Sequence, residues 1–156
     1  MKSRRPPIQV PSETLPFALR QSAERFPDKV AIVEPESGER EWTYAQLERL
    51  SSILAGALAA HGIAPGDRVA LWTKNSVEYV LSFYGILKAG AVIVPVSTHY
   101  GERELTHQLR LTGAKGLIAS EDRLAQIGKV GGDLLLRVVI SDHPNAADAR
   151  RFVTFS

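Results

Sequence analysis

Apolar positions along this chain switch repeatedly between a helical and an extended spacing. Leu15, Leu19, Ala23 and Phe26 fall on one helical face, which predicts a helix from about Thr14 to Phe26. Pro16 fits its first turn, where backbone N–H groups have no intrahelical partner, and Pro27-Asp28 stops it. "KVAIVE" then reads as a strand, "PESGER" as a turn around Gly38, and "EWTY" as a short returning strand. Thr43 with Gln46 three residues on predicts a capping box for a second helix, whose buried stripe is Leu47, Leu50, Leu54, Ala57 and Leu58. That helix ends at His61-Gly62-Ile63, where glycine takes the left-handed cap and the isoleucine folds back.

The second half of the chain repeats the pattern. "RVALWT" is nearly all apolar and predicts a strand covered on both faces. Asn75 is the expected cap of a third helix, with Glu78 at the box position and Val77, Val80, Leu81, Tyr84 and Leu87 facing inward. Gly90 ends it, and "AVIVPV" reads as another doubly covered strand. A fourth helix starts near Glu102, carries Leu105 and Leu109 inward and ends at Gly113. "KGLIAS" is a strand, Ser120 is expected to cap a short helix through Ile127, "GKVGGD" reads as a loop, and "LLLRVVI" is the last strand. Strands separated by helices, several of them continuous apolar runs, predict a three-layer α/β fold: a mostly parallel sheet with helices on both faces. Ligands of such sheets bind at the carboxyl ends of the strands.

The composition allows this and removes other classes. The 156 residues are 44% hydrophobic and 23% charged, enough for one packed core. There is no cysteine, so disulfides, thiolate nucleophiles and Cys-ligated zinc are all absent, and a reducing cytoplasm is the expected compartment. No apolar run reaches the roughly 18 residues of a membrane span. Net charge is +2, with basic residues interspersed among acidic ones as in Glu102-Arg103-Glu104, which argues against a nucleic-acid partner. His61, His99, His107 and His143 lack metal-ligand spacing, and no Gly-x-Ser-x-Gly elbow is present.

In this order the residues resemble the opening of the adenylate-forming superfamily: acyl-CoA synthetases, the adenylation domains of peptide synthetases, and luciferases. "TYAQL" (43–47) is similar to that family's Thr-Tyr-x-x-Leu motif, "GDRVAL…NSVEYV" to its next strand–turn–helix, and "LKAGAVIVPV" to its Leu-Lys-Ala-Gly-x-x-x-x-Pro motif. The resemblance covers about residues 13 to 142. The stretch "THYGERELTHQLRLTGAKGLI" is closer to the acyl-CoA synthetase branch, because the peptide-synthetase branch commonly has an Asp after the proline. Each matched residue also has a local structural reason: Thr43 caps, Gly62 and Gly90 stop helices, Pro95 ends a strand.

The resemblance implies a carboxylic acid–CoA ligase that uses ATP, magnesium and CoA, forming an acyl-adenylate from which the CoA thiol displaces AMP. It also implies a Ser/Thr/Gly-rich phosphate loop and a later catalytic lysine. Neither is in this sequence: the Gly131-Gly132 pair has no Ser/Thr run, and only Lys129 is near it. No catalytic residue is therefore assigned. The expectation is an amino-terminal segment of a longer ligase, inactive alone, with a flexible basic arm at 1–11, the α/β segment at 12–142 and a tail at 143–156 ahead of the phosphate loop. The alternative is a stand-alone, non-catalytic α/β module that binds a protein partner or regulates a full-length relative. In some of the resembled enzymes, two loops border the CoA nucleotide, and they map here onto His99, Tyr100 and Gly101 and onto Arg123. His99 or Tyr100 would stack on adenine, Gly101 would permit close backbone approach, and Arg123 would pair a phosphate. The partner expected is the remainder of the ligase or a second copy. The reason is that "LLLRVVI" (134–140) and Phe152–Phe155 look like an uncovered sheet edge, which favours a homo-oligomer.

Overall fold

A computed structural model describes residues 13–34, 40–127, 134–140 and 152–155. The expected basic arm, the turn at Gly38, the loop at 128–133 and most of the tail lie outside the described residues. The chain begins with helix α1 (Leu15–Arg25), followed by an antiparallel two-stranded ribbon, β1 (Val30–Glu34) with β2 (Arg40–Thr43). Then come α2 (Tyr44–Ala60), β3 (Arg68–Trp72), α3 (Val77–Lys88), β4 (Val92–Pro95), α4 (Glu102–Thr112) and β5 (Gly116–Ser120). A 3-10 turn (Glu121–Arg123), a short α5 (Leu124–Ile127), β6 (Leu136–Ile140) and β7 (Phe152–Phe155) complete it.

The main sheet has the order β4-β3-β5-β6-β7. Its first four strands are parallel and β7 joins antiparallel to β6. Successive residues of β3 serve opposite layers. Val69 and Leu71 pack with Leu54 and Leu58 of α2 and Ile86 of α3, whereas Ala70 and Trp72 pack with Leu105 and Leu109 of α4. Because α3 crosses from β3 to β4 on one face and α4 returns past β3 to β5 on the other, the order of strands reverses at β3. The three-layer α/β architecture expected from the sequence is what the chain adopts.

The helix ends follow local chemistry. Thr43 Oγ1 accepts the Gln46 N–H at 3.3 Å while Gln46 Oε1 accepts the Thr43 N–H at 2.8 Å, the reciprocal box that starts α2. Gly62 and Gly90 take φ of 87° and 74°, and the next residues, Ile63 and Ala91, donate their N–H groups back to Leu58 and Ile86. Helix α3 corrects the expected cap. Ser76, not Asn75, is its cap, with Oγ accepting the Tyr79 N–H at 3.3 Å. Both residue types cap well, and a one-residue shift puts Val77 and Glu78, not Asn75, against the core. In α1 only Leu19 is buried; Leu15 and Phe26 stay exposed, since this outer helix reaches the core only through a cluster with Trp42 and Leu47.

One further expectation holds and one changes. Strand β4 packs on both faces, Val94 with the α4 layer and Ile93 with the α2–α3 layer, but it forms a sheet edge and Val92 stays 48% exposed. There Pro95 has a plain role. The Val92 and Val96 N–H groups donate inward to β3, at Asp67 and Leu71, so the period of two turns the nitrogen of residue 95 away from the sheet, where proline lacks nothing. The Pro95 carbonyl is capped by Gln108 Nε2 at 3.0 Å, so this end of the edge is closed to strand pairing. The correction concerns residues 134–140. They are not an open edge: β6 pairs with β5 on one side and with β7 on the other, in register Arg137 with Phe155 through Ile140 with Phe152. The segment at Phe152–Phe155 thus supplies the partner strand that 134–140 was expected to lack.

Candidate functional site at the strand ends

Parallel pairing brings the carboxyl ends of β3, β4 and β5 to one side of the sheet. The loops that leave them are 73–76, 96–101 and the 3-10 turn at 121–123. A crevice of about 450 Å³ opens there, lined by Thr73, Lys74 and Asn75 after β3, by Ser97 and Thr98 after β4, and by Tyr79 of α3. A larger concavity of about 780 Å³ lies between α1, α2 and the end of α3, bordered by Phe17, Arg20, Glu48 and Lys88. It reaches Gly90 and Ala91, which precede β4, so it sits at the amino end of the sheet. Lys88 Nζ there is held by Glu48 Oε2 at 2.7 Å, the Glu48 carbonyl at 2.9 Å, Ser51 Oγ at 2.8 Å and Ser52 Oγ at 3.0 Å. An ammonium has only three protons to donate, so this lysine is saturated and staples α2 to α3. We therefore place the candidate site at the strand ends, where α/β sheets present ligands.

None of the four residues expected at the site lines the strand-end crevice; His99, Tyr100 and Gly101 follow its Ser97–Thr98 wall on the same loop, and Arg123 reaches that loop from the 3-10 turn. His99 and Tyr100 are exposed on the 96–101 loop. The loop is a tight turn: the Tyr100 N–H donates to the Ser97 carbonyl at 3.1 Å and the His99 N–H to Ser97 Oγ at 3.3 Å. Gly101 is the N-cap of α4, and its N–H donates to Glu104 Oε2 at 3.1 Å. Its φ is −86°, and an added Cβ would meet only that same carboxylate oxygen at 3.2 Å. Any residue can adopt this backbone, so the glycine is not demanded by conformation.

Arg123 makes several contacts within the chain. Nη2 donates to the Thr98 carbonyl at 2.9 Å and Nη1 to Gln126 Oε1 at 3.2 Å, while Nε lies 3.7 Å from Asp122 Oδ2. Its Cζ sits over the Trp72 ring, 4.7 Å from the centroid. One N–H on each Nη is thus bonded within the protein. Trp72, fully buried, donates Nε1–H to the Ser97 carbonyl at 3.1 Å. Trp72, Ser97 and Thr98 were not singled out in the sequence. The available signal was a tryptophan at the last position of a buried strand, whose indole N–H needs an acceptor nearby.

Comparison with known proteins identifies the family of the fold. Residues 19–153 match the AMP-binding enzyme family. The chain is 45% identical over 102 residues to the long-chain-fatty-acid–CoA ligase FadD13 of Mycobacterium tuberculosis, covering 65% of this chain and 20% of that protein. It is 38% identical over 105 residues to the putative acyl-CoA synthetase YngI of Bacillus subtilis, covering 67% of this chain and 19% of the relative. The chain thus spans about a fifth of the length of these curated relatives. Among solved structures, the N-terminal domain of FACL13 from Mycobacterium tuberculosis superposes with a TM-score of 0.74 at 35% identity, over 83% of this chain and 34% of that one. With the family match running through all four parallel strands and into β7, this chain belongs to the AMP-binding enzyme family.

Proposed function

We propose that these residues form the amino-terminal part of an ATP-dependent carboxylic acid–CoA ligase, and that they form no acyl-adenylate by themselves. The observation that carries the reading is the family match over residues 19–153, joined by relatives named as a long-chain-fatty-acid–CoA ligase and an acyl-CoA synthetase. Within such an enzyme ATP supplies the activating phosphates, and magnesium neutralises them. The residues on this chain do not fit that task. The sequence has no Ser/Thr/Gly-rich loop with a lysine, and among the described residues no three His, Asp or Glu side chains are grouped to hold a metal. No step of adenylation is therefore assigned to them.

The strand-end loop fits the other half of the task, contact with the CoA nucleotide. Tyr100 is 39% exposed and His99 is exposed beside it, so either ring is free to stack on a purine. The part of this chain is to carry those rings on a rigid turn at the sheet's carboxyl edge. Association with the remainder of a ligase or with a second copy is part of the same proposal, through the outer edge of β7, which no strand pairs among the described residues. Light scattering after size exclusion reads the second of these partners, with a dimer expected.

ATP–pyrophosphate exchange tests the main reading. The purified chain should show no exchange with any carboxylic acid in a panel, since one missing oxyanion donor alone commonly costs about 3 kcal/mol. A chimera of FadD13 carrying these residues in place of its matching segment should still make acyl-CoA. Exchange by the chain alone, or a folded chimera that makes none, would count against the proposal.

A further inference from the structure

We propose that Arg123 is a positioning residue, which with Trp72 locks the β4–α4 loop over the strand ends, and that it is not a phosphate ligand. The proposal concerns how the loop is held; its consequence for CoA rests on the functional reading above. Two consecutive loop carbonyls are gripped from two different strands. Trp72, at the end of β3, takes the Ser97 carbonyl, and Arg123, just past β5, takes the Thr98 carbonyl. The two gripping side chains also meet each other, with Arg123 Cζ over the indole 4.7 Å from its centroid. Each therefore fixes the other's rotamer as well as the loop. The Ser97 carbonyl accepts from Tyr100 N–H too, so the grip reaches the turn that displays His99 and Tyr100.

The chemistry of arginine is specifically required. A planar fork can stack on a ring and donate in plane to two acceptors at once. A lysine keeps the charge but cannot do both. Thr98 and Gln126 each take one N–H of the two Nη groups and the Asp122 carboxylate lies 3.7 Å from Nε, so a phosphate competing for Nη2 would meet a nearby negative charge and pull against the Thr98 bond. Displacing Thr98 would release the loop that is meant to hold the base. The structure thus separates two jobs that the sequence merged: display of aromatic rings by residues 99–100, and immobilisation of that display by Arg123.

The test uses the 156-residue chain labelled with 15N, comparing wild type, Arg123→Ala and Arg123→Lys. Both variants should keep the far-ultraviolet circular dichroism of wild type while shifting the Trp72 Nε1–H resonance and the amides of residues 97–101. They should also raise the amide exchange rates of that loop roughly tenfold or more. Unshifted indole and loop signals in Arg123→Ala, or their full restoration by lysine, would overturn the proposal. If neither variant folds, the wild type decides. A stacked and doubly bonded guanidinium rotates slowly, so the Arg123 Nη signals should be separate, and a single averaged line would overturn the proposal. A CoA titration forms the second arm. If CoA moves no wild-type resonance, the nucleotide reading fails while the loop lock stands on the first arm. If CoA binds and Arg123→Lys binds it as tightly as wild type, charge alone is the requirement and the positioning role is refuted.

Discussion

Replacing Gly85 by alanine should destabilise this protein, although alanine is the better helix former. Gly85 lies in α3 where that helix crosses α2. A Cβ built on it would sit 2.6 Å from Leu54 Cδ2, 2.8 Å from Cγ and 3.0 Å from Cβ. Leu54 is fully buried, and two of those three atoms lie too close to its backbone to swing aside. Relief must come from moving α2 against α3. Overpacking of this kind costs about 1–3 kcal/mol, and the geometry points to the upper end. Helix propensity returns about 1 kcal/mol. The net loss should be about 2 kcal/mol, or a fall in Tm of about 4–8 °C for a chain this size. Gly56, exposed in the middle of α2 with no atom within 4 Å of its would-be Cβ, is the internal control. Gly56→Ala should gain about 1 kcal/mol by propensity alone. Urea and thermal unfolding followed by circular dichroism at 222 nm measure both. A Leu54→Ala/Gly85→Ala pair adds a second check, because the second substitution should cost less once the leucine has gone. The reasoning is refuted if Gly85→Ala is as stable as wild type, or if the two glycine variants move in the same direction.

Two other perturbations address charged groups. Lys88→Met should cost about 1–3 kcal/mol in urea unfolding, because it leaves the largely buried Glu48 carboxylate without its cation and removes the donor shared with Ser51 and Ser52. Arg20, at 3.9 Å and 66% exposed, is too loose a substitute, so adding Glu48→Gln should recover part of the loss. Asp67 accepts from Lys115 Nζ at 2.6 Å and from the Ala64 N–H at 2.9 Å, the first being the larger reason its carboxyl is held below its ordinary value of 3.8. The stability it contributes is complete above that value and is lost as pH falls through the lower folded-state value. The Tm gap between wild type and Asp67→Asn should therefore be steady at neutral pH and close only below 3.8; a gap that closes above it contradicts the assignment.

The sequence by itself determined the elements and the family resemblance. Local chemistry suffices for the first: the Thr43–Gln46 box, the glycine stops at Gly62 and Gly90, and the period of the apolar stripe in α2 all involve residues within about one helical turn of each other. Polar residues after an apolar strand marked the loop at His99–Gly101 as a strand end, while its candidacy as a CoA contact is what the family resemblance implies. Tertiary structure alone decided three things. An apolar run reads alike in a central and an edge strand, so the placing of β4 at the edge, and with it the outward-facing nitrogen of Pro95, came from the order of strands. The pairing of β6 with β7 joins segments separated by residues 141–151 and depends on a register that a short apolar tail does not announce. The contacts of Arg123 are with a backbone carbonyl 25 residues earlier and with a tryptophan on another strand. A guanidinium looks the same in sequence whether it awaits a phosphate or holds a loop; which of these it does depends on what the fold brings within 3 Å of its donors.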